Sequence, residues 1–155
     1  MLITCHLLTG AAIASGPINP TVSLPLAFFS HFILDAIPHL EATTFANMKK
    51  GEDYYPTKKE ILYVFLDVLF GLLVLSIIYF KLKSPLILFG AFLAILPDLI
   101  DNIPFWYGIR KLPVFKQFHK FHDKIHFDLK PRYWYWGALT QFILLAAVAC
   151  YFLSS

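Results

Sequence analysis

Val22-Ser23-Leu24-Pro25-Leu26-Ala27-Phe28-Phe29-Ser30-His31-Phe32-Ile33-Leu34-Asp35-Ala36-Ile37-Pro38-His39 is apolar except for one set of ionisable side chains, His31-x3-Asp35-x3-His39. In a helix that i, i+4, i+8 spacing gathers the three onto one face, within an arc of about 80°. A membrane span needs about 20 apolar residues, and ionisable groups at such depth are retained mostly where they bind something or carry protons. Two further sets follow the same logic: Pro97-Asp98-x2-Asp101 and His119-x2-His122-x3-His126, with His6 and Asp67 standing alone.

Composition supports a membrane class. Hydrophobic residues make up 58% and charged residues 15%, with a mean hydropathy of +0.64, against about 45–50% and 25% in a soluble domain. The 155 residues leave room for one integral domain, residues 1–155, and for no second one. The predicted fold is all-α: a bundle of four to five spanning or re-entrant helices plus an interfacial helix. The first fifteen residues lack the basic region and cleavage site of a secretory signal, so they are expected to persist as structure.

Five apolar segments are legible. Leu2 to Ser15 is short enough for a tilted or re-entrant helix, and Gly16-Pro17-Ile18-Asn19-Pro20 breaks it. Val22 to His39 is expected to return as the second arm of a packed hairpin. Glu41 to Lys59 reads as a solvated loop, Glu60 to Phe80 as a full span interrupted by Asp67, and Pro85 to Ile100 as the antiparallel return. Pro104 to Arg132 is basic and aromatic, with an amphipathic helix expected over about Val114–Phe127. Tyr133 to Leu153 reads as a clean last span opened by the aromatic anchors Tyr133, Trp134, Tyr135 and Trp136.

Threading these segments back and forth puts every candidate ligand in one half of the membrane. The same side receives eleven of the thirteen Lys and Arg, all but Lys81 and Lys83, and is therefore expected to be cytoplasmic. Cys5 and Cys150 fall on opposite faces, which argues against a disulfide.

Imidazoles and carboxylates without thiol or thioether suit zinc, manganese or iron. The candidate metal ligands are His6, His31, Asp35, His39, Asp67, Asp98, Asp101, His119, His122 and His126. Four buried aspartates repel unless protonated, paired or metal-bound, and two divalent ions would balance them. Ten groups also exceed the four ligands of one zinc, so two ions are expected, with some groups orienting ligands rather than binding. Lys116, Lys120 and Lys124 are candidate contacts for an anionic headgroup.

Thr4-Cys5-His6, the run Ser30 to His39, and Leu96-Pro97-Asp98-Leu99-Ile100-Asp101 together resemble the predicted inner-membrane, metal-dependent hydrolases of bacteria. That resemblance implies a polytopic helical protein of the inner membrane with a His/Asp metal centre and hydrolase activity. Downstream the chain departs from the pattern, reading His119-Lys120-Phe121-His122-Asp123-Lys124-Ile125-His126. The expected function is hydrolysis of a phosphoester or a lipid-linked, amphiphilic anion, with membrane lipid and no nucleic acid as partner. Its rivals are a metal-ion or proton transporter and a structural membrane protein without chemistry. A transporter should place ionisable groups in both membrane halves, whereas here the far half is nearly apolar.

Overall fold

The computed structural model describes residues 1–45, 57–102 and 112–154, and every regular element among them is helical. The helices are α1 (Ile3–Ser15), α2 (Pro20–Asp35), α3 (Lys58–Leu82), α4 (Pro85–Asn102), α5 (Pro113–Ile125) and α6 (Trp134–Ser154), with a 3-10 turn at Pro131–Tyr133 leading into α6. The middle of the expected loop and the aromatic run at 105–107 lie outside the described residues.

Local chemistry sets most of these boundaries. Gly16 and Pro17 end α1, and Asn19 opens α2 by accepting a hydrogen bond from the Thr21 amide at 2.9 Å, with Pro20 in the first turn. Thr57 and Glu60 form a reciprocal capping box at the start of α3. Lys83, at φ 49°, stops α3 in the left-handed region, and Pro85 starts α4 two residues later. Beside the same turn, Lys81 Nζ donates to the Phe152 carbonyl at 2.7 Å and ties the end of α3 to the end of α6.

α1 has only 13 residues, yet it occupies the centre, packed against α2, α3, α4 and α6. Leu7, Leu8 and Ala11 of α1 meet Leu75 and Ile78 of α3, Ile87 and Ala91 of α4, and Val148 and Phe152 of α6. The approach of α1 to α4 is at backbone distance. A Cβ built on Gly10 would collide with the Gly90 carbonyl, and one on Gly90 with Ala14 and the Gly10 carbonyl. Gly10-x3-Ala14 and Gly90-x3-Ala94 are therefore facing ridges of small residues, a device that draws helix backbones together without a large side chain between them.

Two segments, Lys58–Leu82 and Pro131–Ser154, are long and apolar enough to cross a membrane, with mean hydropathies of 2.7 and 1.8 over their most apolar stretches. Only 17% and 22% of those stretches is buried within the protein. α3 accordingly exposes Phe65, Phe70, Leu73 and Ile77, and α6 exposes Phe142 and Ile143. Cys5 is buried in the core and Cys150 is exposed, both as free thiols.

Bulk at the α1–α4 crossing is expected to be tolerated poorly. Gly90→Leu should destabilise the fold by about 1–3 kcal/mol or more through overpacking. At Gly16 a Cβ meets nothing closer than 3.5 Å, so Gly16→Ala should change little. Thermal unfolding of the two variants in detergent compares them directly, and equal midpoints would refute the close crossing.

Candidate metal centre

The start of α1, the end of α2 and the end of α4 meet beside α5. His31, in α2, anchors the arrangement. Its Nδ1 lies 2.8 Å from the Ala94 carbonyl; a carbonyl only accepts, so Nδ1 carries the proton and Nε2 presents a lone pair. His122, the buried residue of α5, is oriented similarly by Asp101 Oδ2, 3.0 Å from its Nδ1.

These two rings aim Nε2 atoms at one point, with the Asp35 carboxylate as third member. His31 Nε2 lies 3.1 Å from His122 Nε2, and each lies 3.1 Å from Asp35 Oδ2. Ligand bonds of about 2.0–2.1 Å separate the corners of a tetrahedral zinc site by about 3.3 Å. The three atoms thus outline one face of such a site. Asp98, with Oδ1 3.8 Å from His31 Nε2, joins them, and the set His31, Asp35, Asp98 and His122 can hold a metal ion.

A second group shares Asp35 with His39 and His126. His39 Nδ1 lies 2.8 Å from the Ile37 carbonyl, so its Nε2 also offers a lone pair, 3.2 Å from His126 Nε2. Burial pushes the His39 imidazole down to about 3 and holds His126 below its ordinary value, leaving both neutral in the metal-binding form. Neither residue lies within a helix, contrary to the spacing argument. α2 stops at Asp35, and His126 is the extended cap of α5.

His39 is positioned instead by α6. Gln141 accepts from the Leu40 amide at 3.3 Å and donates to the Leu40 carbonyl at 2.9 Å, and Thr140 Oγ1 donates to the Pro38 carbonyl. Gly137 lets the α6 backbone approach, because a Cβ there would strike the backbone of His39 and Leu40. Reading the last segment as a clean span overlooked these residues. The adjacent polar pair Thr140-Gln141 in an apolar helix was the available signal.

Other candidates have different employment. Asp67 Oδ2 accepts from the Ile3 amide at 2.6 Å and the Thr4 amide at 3.4 Å; it caps α1, whose preceding residue Leu2 has no side chain to do so. Asp101 binds the Nδ1 atoms of both His119, at 2.8 Å, and His122, which makes it an orienting carboxylate. His119, 35% exposed, belongs to neither ligand group among the described residues. Lys116, Lys120 and Lys124 are exposed and, at i, i+4, i+8, lie on the side of α5 roughly opposite His122, so they do not face the imidazoles.

His6 tests whether these residues suit a cation. Fully buried, it stacks on His31 at 4.2 Å, and its Nε2 lies 3.2 Å from Asp35 Oδ1 outside hydrogen-bond geometry. Neither ring nitrogen finds a hydrogen-bond partner among the described residues. Each such orphaned buried group costs about 1–3 kcal/mol, a penalty that a bound cation would offset. Asp35 Oδ1 also lies 2.8 Å from the Met1 amino group. The donors, tautomers and spacing together fit a divalent ion.

Burial opposes charge on His122, but the hydrogen bonds it donates to Asp101 and Asp35 outweigh it and hold its pKa up at about 9. That imidazolium proton occupies the place a metal would take. Metal binding must displace it, so affinity should rise by up to about tenfold per pH unit below this value and level off above it; proton release measured calorimetrically in buffers of different ionisation enthalpy checks the sign. Asp101→Asn should weaken metal binding by about 10–100-fold through misoriented histidines. Asp67→Ala should instead lower thermal stability by about 1 kcal/mol, as for a lost cap, with metal stoichiometry unchanged. Comparison with protein-family models, with curated proteins and with solved structures finds no match to this chain, so its reading rests on this geometry.

Proposed function

We propose that this protein is a membrane-embedded, metal-dependent hydrolase acting on a phosphoester or lipid-linked anionic substrate at a membrane boundary. The triangle of His31 Nε2, Asp35 Oδ2 and His122 Nε2 is the observation that carries it. An inner ion would be held by His31, Asp35, Asp98 and His122, and a second by His39 and His126, with Asp35 common to both. Zinc or manganese suits this donor set. When bound, such ions supply Lewis acidity toward a substrate oxygen and acidify a coordinated water.

The protein's own share of the work is positional. Ala94, Ile37 and Asp101 hold the imidazoles with their lone pairs turned inward, and the buried ends of α1, α2 and α4 keep bulk water away. The exposed apolar flanks of α3 and α6 support a membrane setting, in which the shorter α1, α2 and α4 complete a bundle of four to five spanning or re-entrant helices. The bias of Lys and Arg supports a cytoplasmic orientation in a bacterial inner membrane, as the resemblance of the Ser30–His39 and Leu96–Asp101 motifs also implies.

The one-sided distribution of acids favours hydrolysis over transport. Among the described residues every Asp and Glu lies toward the end that holds Asp35, while the opposite turns, Gly16–Asn19 and Lys83–Ser84, carry no acid. An alternating path would need ionisable groups along its full length.

Purified protein supplied with zinc or manganese should release phosphate or headgroup from a panel of phosphoesters and phospholipids. Asp98→Asn and His122→Ala should each abolish that release while remaining folded by circular dichroism. Metal-dependent ion flux in proteoliposomes without any hydrolysis would favour transport, and protein that binds no metal would remove both readings.

A further inference from the structure

Charge balance at the centre leads to a residue outside the candidate set. Four aspartates, Asp35, Asp67, Asp98 and Asp101, matched two divalent ions in the sequence. Asp67, however, is committed to the amides that open α1, which leaves three carboxylates. The acid that approaches the group in its place is Glu41, two residues beyond His39, with Oε2 3.8 Å from His126 Nε2. Its backbone is fixed: the Glu41 amide donates to Thr44 Oγ1 at 2.9 Å, and the Thr44 amide donates to the Glu41 carbonyl at 3.1 Å.

The two groups also differ in how their donors are held. The inner set comes from α2, α4 and α5, with His31 and Asp35 at 0%, His122 at 3% and Asp98 at 16% exposure. The outer set, apart from Asp35, comes from beyond helix ends; His39 is buried, but the rim beside it is open, with His126 at 19% and Glu41 at 37%. An ion leaves a site only as fast as its donors can withdraw and water can replace them. Donors fixed in helices do so slowly; donors on connecting segments, with a carboxylate open to solvent among them, do so readily.

We infer that Glu41 completes an outer metal site with Asp35, His39 and His126, and that this ion exchanges with solution while the inner one is retained. The inference rests on the metal-centre reading and adds a regulation to it. The protein carries one resident ion, and occupancy of the outer site follows the free concentration of divalent metal. Glu41 supplies the negative charge that two neutral imidazoles and an already shared carboxylate do not.

The test counts metal rather than turnover. Full-length protein in detergent is loaded with Zn²⁺, passed briefly over chelating resin and analysed for bound zinc against time. Wild type should start with two equivalents, lose one within the first passage and keep the other at least tenfold longer. Glu41→Gln should start near one equivalent and keep the slow one, and His126→Ala should behave alike. Asp98→Asn should lose the slowly leaving equivalent, and size-exclusion profiles confirm that each variant is folded. Two equivalents leaving at one rate, or Glu41→Gln retaining both, would overturn the outer site while leaving a metal centre in place. A single tightly held equivalent in wild type would do the same. Wild type without any bound zinc would overturn this inference and the hydrolase reading together.

Discussion

Asp35 is a carboxylate with no exposure to solvent, and a bare charge there would be expensive enough to unfold the site or force its protonation. The surroundings answer that constraint. His122 of α5 brings a protonated ring nitrogen to 3.1 Å from Asp35 Oδ2, and the Met1 amino group lies 2.8 Å from Oδ1, with His31 and His6 packed against the same carboxylate. The main chain joins in, since the Phe127 amide donates to the Asp35 carbonyl at 2.8 Å. Ligand geometry and the docking of α5 are therefore one problem with one solution. Whatever neutralises Asp35 also draws the interfacial helix onto the bundle.

That convergence depends on how closely the helices approach. The crossing of α1 and α4 at Gly10 and Gly90 places the Ala94 turn against His31, whose Nδ1–H it accepts. At the other side Gly137 admits the His39–Leu40 backbone to α6, where Thr140 and Gln141 take up carbonyls and an amide that have no helical partner. Small residues thus control the site from a distance. They set the spacing between backbones, the backbones set the tautomers, and the tautomers turn three Nε2 lone pairs inward.

The phenylalanines of α5 serve the same end. Phe118 and Phe121 pack edge-on to Phe32 of α2, the residue next to His31, with ring centroids 6.3 and 5.4 Å from that of Phe32. This apolar contact holds α5 in the register that brings His122 to Asp35. The aromatic face of α5 is in part an intramolecular seal over the polar cluster.

Periodicity and composition alone established the helical class, the segments at α3 and α6 able to cross a membrane, the amphipathic α5, and most of the residues that gather around Asp35. They did so because burial of apolar length and the 3.6-residue repeat are local properties, readable along the chain. Which acids serve the centre was not local. Asp67 reads as any other embedded carboxylate, yet it caps the amides that open α1, and Glu41 reads as part of a solvated loop, yet its Oε2 lies 3.8 Å from His126 Nε2. His39 and His126 reached the group through chain beyond the helix ends, where no period applies. Tertiary structure assigned those roles, because a carboxylate's function follows from the donor it meets, and that donor comes from a distant part of the chain.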